Sequence, residues 1–101
     1  MFAEGDVVCT YVDAKKRRAI VLRVVGDDFL IVAPYHGSPP PIGPCEVVLP
    51  SSQAGRALEL SKPTHFWARV ARVRAEACDG TPARCPPEIF ARVLALTGAR
   101  R

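Results

Sequence analysis

Residues Lys15 to Ala33 read KKRRAIVLRVVGDDFLIVA. Four consecutive cations run into an apolar, β-branched segment, a Gly-Asp-Asp turn signal follows, and a second apolar segment closes the stretch. Ala19 to Val25 and Phe29 to Ala33 have the composition of strands. So short a connection between two such runs specifies an antiparallel hairpin. Outward from it, Val7 to Val12 (VVCTYV), after Gly5 and Asp6, reads as a preceding strand, and Cys45 to Leu49 (CEVVL) as a fourth. Glu4 and Asp6 read as part of the turn that starts the first strand. Between the third and fourth runs lies Pro34 to Pro44 (PYHGSPPPIGP), with five prolines and two glycines. Such a segment is neither helix nor central strand. It reads as a stiff, exposed loop carrying Tyr35 and His36, a setting where functional groups collect.

The second half is less uniform. Ser51 to Gly55 reads as a polar turn and Ala57 to Leu60 as a few extended residues. Between Thr64 and Ala77, Phe66, Val70, Val73 and Ala77 fall at helical spacing. His65, Trp67, Arg69, Ala71 and Val73 alternate as in a strand, and periodicity leaves the two open. The end is clearer. Pro86 or Pro87 suits a first helical turn and Glu88 the positive end of its dipole. Ile89, Phe90, Val93, Leu94 and Leu96 form one apolar face, and Gly98 is a terminator. The expected fold is mostly β (α+β): antiparallel strands closed by a C-terminal helix, in one domain spanning residues 1–101.

Composition bounds the function. The 101 residues suffice for one compact core and not two. The net charge is +4 and the pI about 9.2, which fits a polyanionic partner. No apolar run approaches a membrane span. MFAEGDVVC lacks the basic, apolar and small-residue pattern of a secretory leader, so a cytoplasmic location is expected. Cys9, Cys45, Cys78 and Cys85 form no C-x-x-C pair, and His36 and His65 are the only histidines. That pattern argues for free thiols and against a metal or other cofactor. A Cys78–Cys85 disulfide is sterically conceivable, but a reducing compartment would keep it open.

The order of short motifs carries a resemblance. GDVV at Gly5, RRAIVL at Arg17, IVAP at Ile31, EVVL at Glu46, LSKPT at Leu60 and PPEIFARVLAL at Pro86 together resemble the PemK/MazF family of toxins from bacterial toxin–antitoxin pairs. The resemblance covers roughly Glu4 to Gly98. It implies a small SH3-like barrel, a homodimer, and strand rather than helix in Thr64 to Ala77. It also implies a metal-independent endoribonuclease, an mRNA interferase that cuts single-stranded messenger RNA at short motifs. The implied neutralising partner is an antitoxin with an acidic tail. Arg17 matches the family's catalytic arginine. Arg18 stands where its proline would be, and His36 where a threonine is usual. A gyrase poison shares the fold, but this chain ends LALTGARR with no aromatic after Phe90. The alternative is a member that binds RNA or an antitoxin without cutting.

Metal-free RNA cleavage uses the ribose 2′-hydroxyl as nucleophile. It needs a base, an acid, and cations on the charge that builds at phosphorus. Arg17 suits the last role, because its planar fork grips phosphate oxygens and stays charged. An unperturbed imidazole titrates near neutrality, so His36 suits acid–base work. Arg17 and His36 are therefore the catalytic candidates. Lys15, Lys16, Arg18, Tyr35, Ser61, Lys62 and Thr64 are the RNA-binding candidates. Tyr35 is the preferred stacking face over Tyr11, while Phe66 and Trp67 are better placed as core or interface. Arg69, Arg72 and Arg74 read as a solvated face or as contacts to a phosphate backbone or acidic tail.

Overall fold

The structure is a computed structural model that describes residues 1–98. Seven strands, two α-helices and one 3₁₀ turn follow in order: β1 (Asp6–Val12), β2 (Lys15–Val25), β3 (Phe29–Pro34), β4 (Cys45–Val48), α1 (Gln53–Ala57), β5 (Thr64–Trp67), β6 (Ala71–Arg74), the 3₁₀ turn Ala75–Ala77, β7 (Asp79–Arg84) and α2 (Pro87–Thr97). Five strands form one antiparallel sheet in the order β6-β3-β2-β1-β7, and β4 pairs β5 in a separate ribbon. An antiparallel bridge between His36 and His65 joins the end of β3 to the ribbon. Among the described residues the ladders leave β6 and β7 as sheet edges, so the hydrogen bonding does not close a barrel.

The first connection is a two-residue turn. Val12 pairs Lys15, which leaves only Asp13 and Ala14 in the turn. Their φ angles, 52° and 64°, are the left-handed pair that a type I′ hairpin requires. The four cations therefore lie within β2, not in a loop before it. Lys16 and Arg18 share a face with Ile20, and Lys15 and Arg17 share the other with Ala19.

That alternation builds two cores, one on each side of the sheet. Ile20 and Leu22 join Val7, Ala33, Phe66, Leu58, Cys85, Ile89 and Val93 under the ribbon and α2. Ala19 and Val21 join Val8, Leu30, Val32 and Cys78 on the other side. Each fully buried Leu, Ile or Phe contributes roughly 1.5–3 kcal/mol of hydrophobic stabilisation. Pro86 caps α2 with extended backbone, Ile89 and Val93 face the core, and Gly98 closes the helix at φ 69° with its N–H on the Leu94 carbonyl.

The sequence reading needs two corrections, at α1 and β7, and its one open segment is settled. Gln53–Ala57 is a short helix, not a turn followed by extended residues; Ser52 caps it by accepting the Gly55 N–H at 2.9 Å. Gly55 packs directly on the backbone before the helix, where a Cβ would sit 2.0 Å from the Leu49 carbonyl oxygen. Thr64–Trp67 and Ala71–Arg74 are strands, which resolves the ambiguous segment. Asp79–Arg84 (DGTPAR) is a strand that went unread. Its glycine and proline lack strand propensity, and Pro82 is tolerated because β7 is an edge with a register shift against β1.

All four cysteines are free thiols, Cys78 and Cys85 buried and Cys9 and Cys45 half-buried. No helix among the described residues is long and apolar enough to cross a membrane.

Candidate functional site

A groove of about 420 Å³ opens where the start of β2, the end of β3 and the α1–β5 connection meet. Lys16, Arg17, Arg18, Tyr35, His36, Gly37, Glu59, Leu60, Ser61, Lys62 and Thr64 line it. Every candidate site residue from the sequence is there except Lys15, which is exposed and does not line the groove. The lining holds four cations, Lys16, Arg17, Arg18 and Lys62, and a single carboxylate, Glu59. A larger hollow of about 740 Å³ lies between α1 and the start of α2, around Ala54, Arg84, Cys85 and Phe90. Its one arginine, Arg84, is tied to Asp6 at 2.6 Å, and it faces Glu4 and Glu88, so it lacks the groove's concentration of positive charge.

Backbone pairing explains the convergence. The Tyr35 N–H donates to the Arg18 carbonyl at 2.8 Å, extending the β2–β3 ladder past Pro34. Arg17 Nη1 then donates to the Tyr35 carbonyl at 3.0 Å. Its Nε is buried and finds no partner among the described residues. The guanidinium is thus anchored at one corner only. Arg18 Nη1 meets Glu59 Oε1 at 3.3 Å, with both side chains about two-fifths exposed. A pair that exposed contributes at most about 1 kcal/mol, so an incoming anion displaces it at small cost. Lys62 lies over Gly37, where an added Cβ would be 3.4 Å from Nζ.

His36 is not the exposed loop residue that its proline-rich context implies. It is 7% exposed. Its N–H and carbonyl pair with His65 at 3.1 and 2.8 Å, and its ring stacks on Trp67 with centroids 3.7 Å apart and planes 11° from parallel. Trp67 Nε1 in turn donates to Ser38 O at 2.9 Å, which pins the start of the proline-rich loop. Burial first, then the positive charge of Arg17, lowers the His36 pKa, so the imidazole is neutral at pH 7 and suited to accept a proton. Arg17 and His36 line the same groove.

Tyr35 and Thr64 take other roles than RNA contact by their side chains. The Tyr35 ring meets Phe66 edge to face at 5.3 Å, and its hydroxyl donates to the buried Leu58 carbonyl at 3.1 Å. Burial raises its phenol pKa well above the ordinary range. Its stacking surface is therefore committed to the core, and what it offers the groove is the carbonyl that holds Arg17. Thr64 is 4% exposed and its hydroxyl donates to Lys62 O at 3.3 Å, which shapes the Ser61–Lys62 turn. Glu59 was missed in the sequence. It sits at φ 58°, a left-handed conformation that points to a site held in place by its surroundings. Its only sequence signal was an acid lying just before LSKPT.

Among the described residues no group of three or more His, Cys, Asp or Glu is placed to hold a metal ion. No protein-family model matches this chain, and no curated protein matches it.

Proposed function

We propose that the groove binds the phosphate backbone of single-stranded RNA and cleaves it without a metal, as a toxin endoribonuclease of the PemK/MazF type would. The single observation that carries this reading is the convergence of Arg17, Arg18, Lys16, Lys62 and a neutral His36 on one groove from three separate chain segments. In the proposed reaction His36 takes the proton from a ribose 2′-hydroxyl, and that oxygen forms a bond to phosphorus. Arg17 binds the phosphoryl oxygens as charge builds on them. The bond from phosphorus to the 5′-oxygen breaks, the leaving oxygen takes a proton from solvent, and His36 returns the proton it accepted to solvent while Arg17 stays charged. The products are a 2′,3′-cyclic phosphate and a 5′-hydroxyl. Arg18 is freed for a second phosphate when Glu59 releases it.

The resemblance extends the proposal to a homodimer, to an antitoxin whose acidic tail competes for the same cations, and to a cytoplasmic location. A second copy finds support in the exposed apolar side chains Ile42, Val47 and Leu49, at 92%, 51% and 52% exposure, on and beside the ribbon. A second reading, RNA or antitoxin binding without cleavage, draws on the burial of His36. The test is incubation of a long single-stranded RNA in EDTA with wild type, Arg17→Ala and His36→Ala. Discrete fragments from wild type alone support the nuclease. RNA bound but intact with all three favours the binding-only reading.

A further inference from the structure

The sheet face that carries the main core does not end where the core does. Ala33 and Tyr35 belong to that core, and strand alternation places Ile31 and Phe29 on the same face of β3. Opposite them on edge strand β6 stand Arg72, paired with Ile31, and Arg74, paired with Phe29. Arg23 of β2 pairs Ile31 from the other side. Ala71 and Val73 pack into the second core, so Arg72 and Arg74 project from the opposite face, and both are exposed. The Arg72 guanidinium lies 4.2 Å from the centre of the Phe29 ring and that of Arg74 5.2 Å. An aromatic face under a guanidinium restrains the plane of the cation while leaving N–H groups directed outward. Asp27 and Asp28 in the preceding turn and Glu76 beyond β6 are the nearby acids in sequence. None of the ion pairs seen among the described residues involves Arg72 or Arg74.

We propose that this Arg72–Phe29–Arg74 face is a second phosphate-binding surface, engaged by the part of a single-stranded RNA that extends beyond the groove. The inference rests on the reading of the groove as an RNA site. Two observations favour RNA. The two arginines stand two residues apart on a strand, roughly 6.6 Å along it, and present planar forks suited to bidentate phosphate contact. Phe29 lies at the far end of the same strand whose other end delivers Tyr35 and His36 to the groove. Seven residues of strand span roughly 23 Å, about seven nucleotides of stacked single strand at about 3.4 Å each. A short RNA would fill the groove alone, and a longer one would reach both surfaces.

The test measures affinity by fluorescence anisotropy at several salt concentrations, for 2′-O-methyl RNAs of about 5 and about 20 nucleotides, which lack the nucleophilic 2′-hydroxyl and stay intact. The proteins are wild type, Arg17→Ala, and the double variants Arg72→Gln/Arg74→Gln and Arg72→Lys/Arg74→Lys, each checked for fold by circular dichroism. The glutamine pair keeps side-chain length while removing charge. It is expected to weaken binding of the long RNA and lower its slope of log K against log salt by about 1.4, two phosphate contacts at about 0.7 each. It should leave the short RNA unaffected, and the lysine pair should restore most of the slope. An unchanged slope with the long RNA overturns the second surface and leaves the groove reading standing. Unchanged RNA binding together with weaker binding of a polyglutamate peptide overturns it in favour of an acidic protein segment. Failure of wild type to bind either RNA overturns the groove reading, and this inference with it.

Discussion

Replacing Gly55 by alanine sets two effects of opposite sign against each other. In an exposed helix the change stabilises by about 1 kcal/mol, because glycine loses more backbone freedom on folding. Here the new Cβ would lie 2.0 Å from the Leu49 carbonyl oxygen and 2.8 Å from Leu49 C and Pro50 Cα. All three neighbours are backbone, so no rotamer change relieves the clash. Overpacking of this kind costs about 1–3 kcal/mol, and contact with an immovable backbone belongs at the top of that range. The net expectation is a loss of about 2 kcal/mol. For a domain of this size that lowers the melting temperature by about 8–16 °C. Ala57→Gly in the same helix, at an exposed position, should cost about 1 kcal/mol. The assay is urea unfolding followed by circular dichroism. Both variants should destabilise, an outcome helix propensity alone cannot give. A Gly55→Ala protein more stable than wild type would refute the close packing of α1. It would also undermine the placement of Leu58 and Glu59, which follow directly from that helix.

Other expectations are quicker to test. Ala14→Gly relieves a left-handed alanine worth about 1–2 kcal/mol of strain and adds unfolded-state entropy worth about 0.5–1; the variant should be more stable by about 0.5 kcal/mol in the same urea assay. His36 has a folded pKa below its unfolded value of about 6.5, so its contribution to stability is complete above that pH and is lost as pH falls toward the folded pKa. Urea midpoints between pH 7.5 and 5 should fall more steeply for wild type than for His36→Gln, and identical slopes would count against the burial of the ring. Burial, helped by Glu88, pushes the Cys85 thiol up to about 12, and burial raises Cys78 as well. At pH 8 a thiol reagent should therefore label the half-buried Cys9 and Cys45 well before Cys78 and Cys85, by peptide mass analysis. Tyr35→Phe strands the buried Leu58 carbonyl and should cost about 1–3 kcal/mol while leaving RNA affinity unchanged, because the carbonyl that holds Arg17 remains.

Much of this arrangement was legible because it follows from local rules. The VVGDDFL turn and the runs beside it specify the β2–β3 hairpin, and the alternation within AIVL assigns its residues to two cores. The proline pair before Glu88 and the glycine after Thr97 bracket α2. What escaped depends on tertiary context. DGTPAR forms a strand only because β1 offers an edge to pair with, and QAGRA forms a helix only because Ser52 caps it and Gly55 fits against Leu49. For the groove, residue type pointed to the cations and to His36, since phosphate chemistry restricts which side chains serve. Burial was not legible in the same way. His36 owes its place to Trp67 and to the bridge with His65, both distant in sequence, and Tyr35 turns inward because Phe66 and the Leu58 carbonyl complete its contacts. Glu59 drew no notice because a single acid has no period or motif, and only the fold sets it beside Arg18.

The most direct test of the central claim is product analysis. One RNA sequence and its all-deoxy counterpart are incubated with the wild-type protein in EDTA, and fragment ends are identified by mass spectrometry. The account predicts RNA fragments ending in a 2′,3′-cyclic phosphate with 5′-hydroxyl partners, an uncut DNA strand, and no fragments from Arg17→Ala. Fragments with 5′-phosphates, cleavage of the DNA strand, or intact RNA with a folded wild-type protein would contradict it.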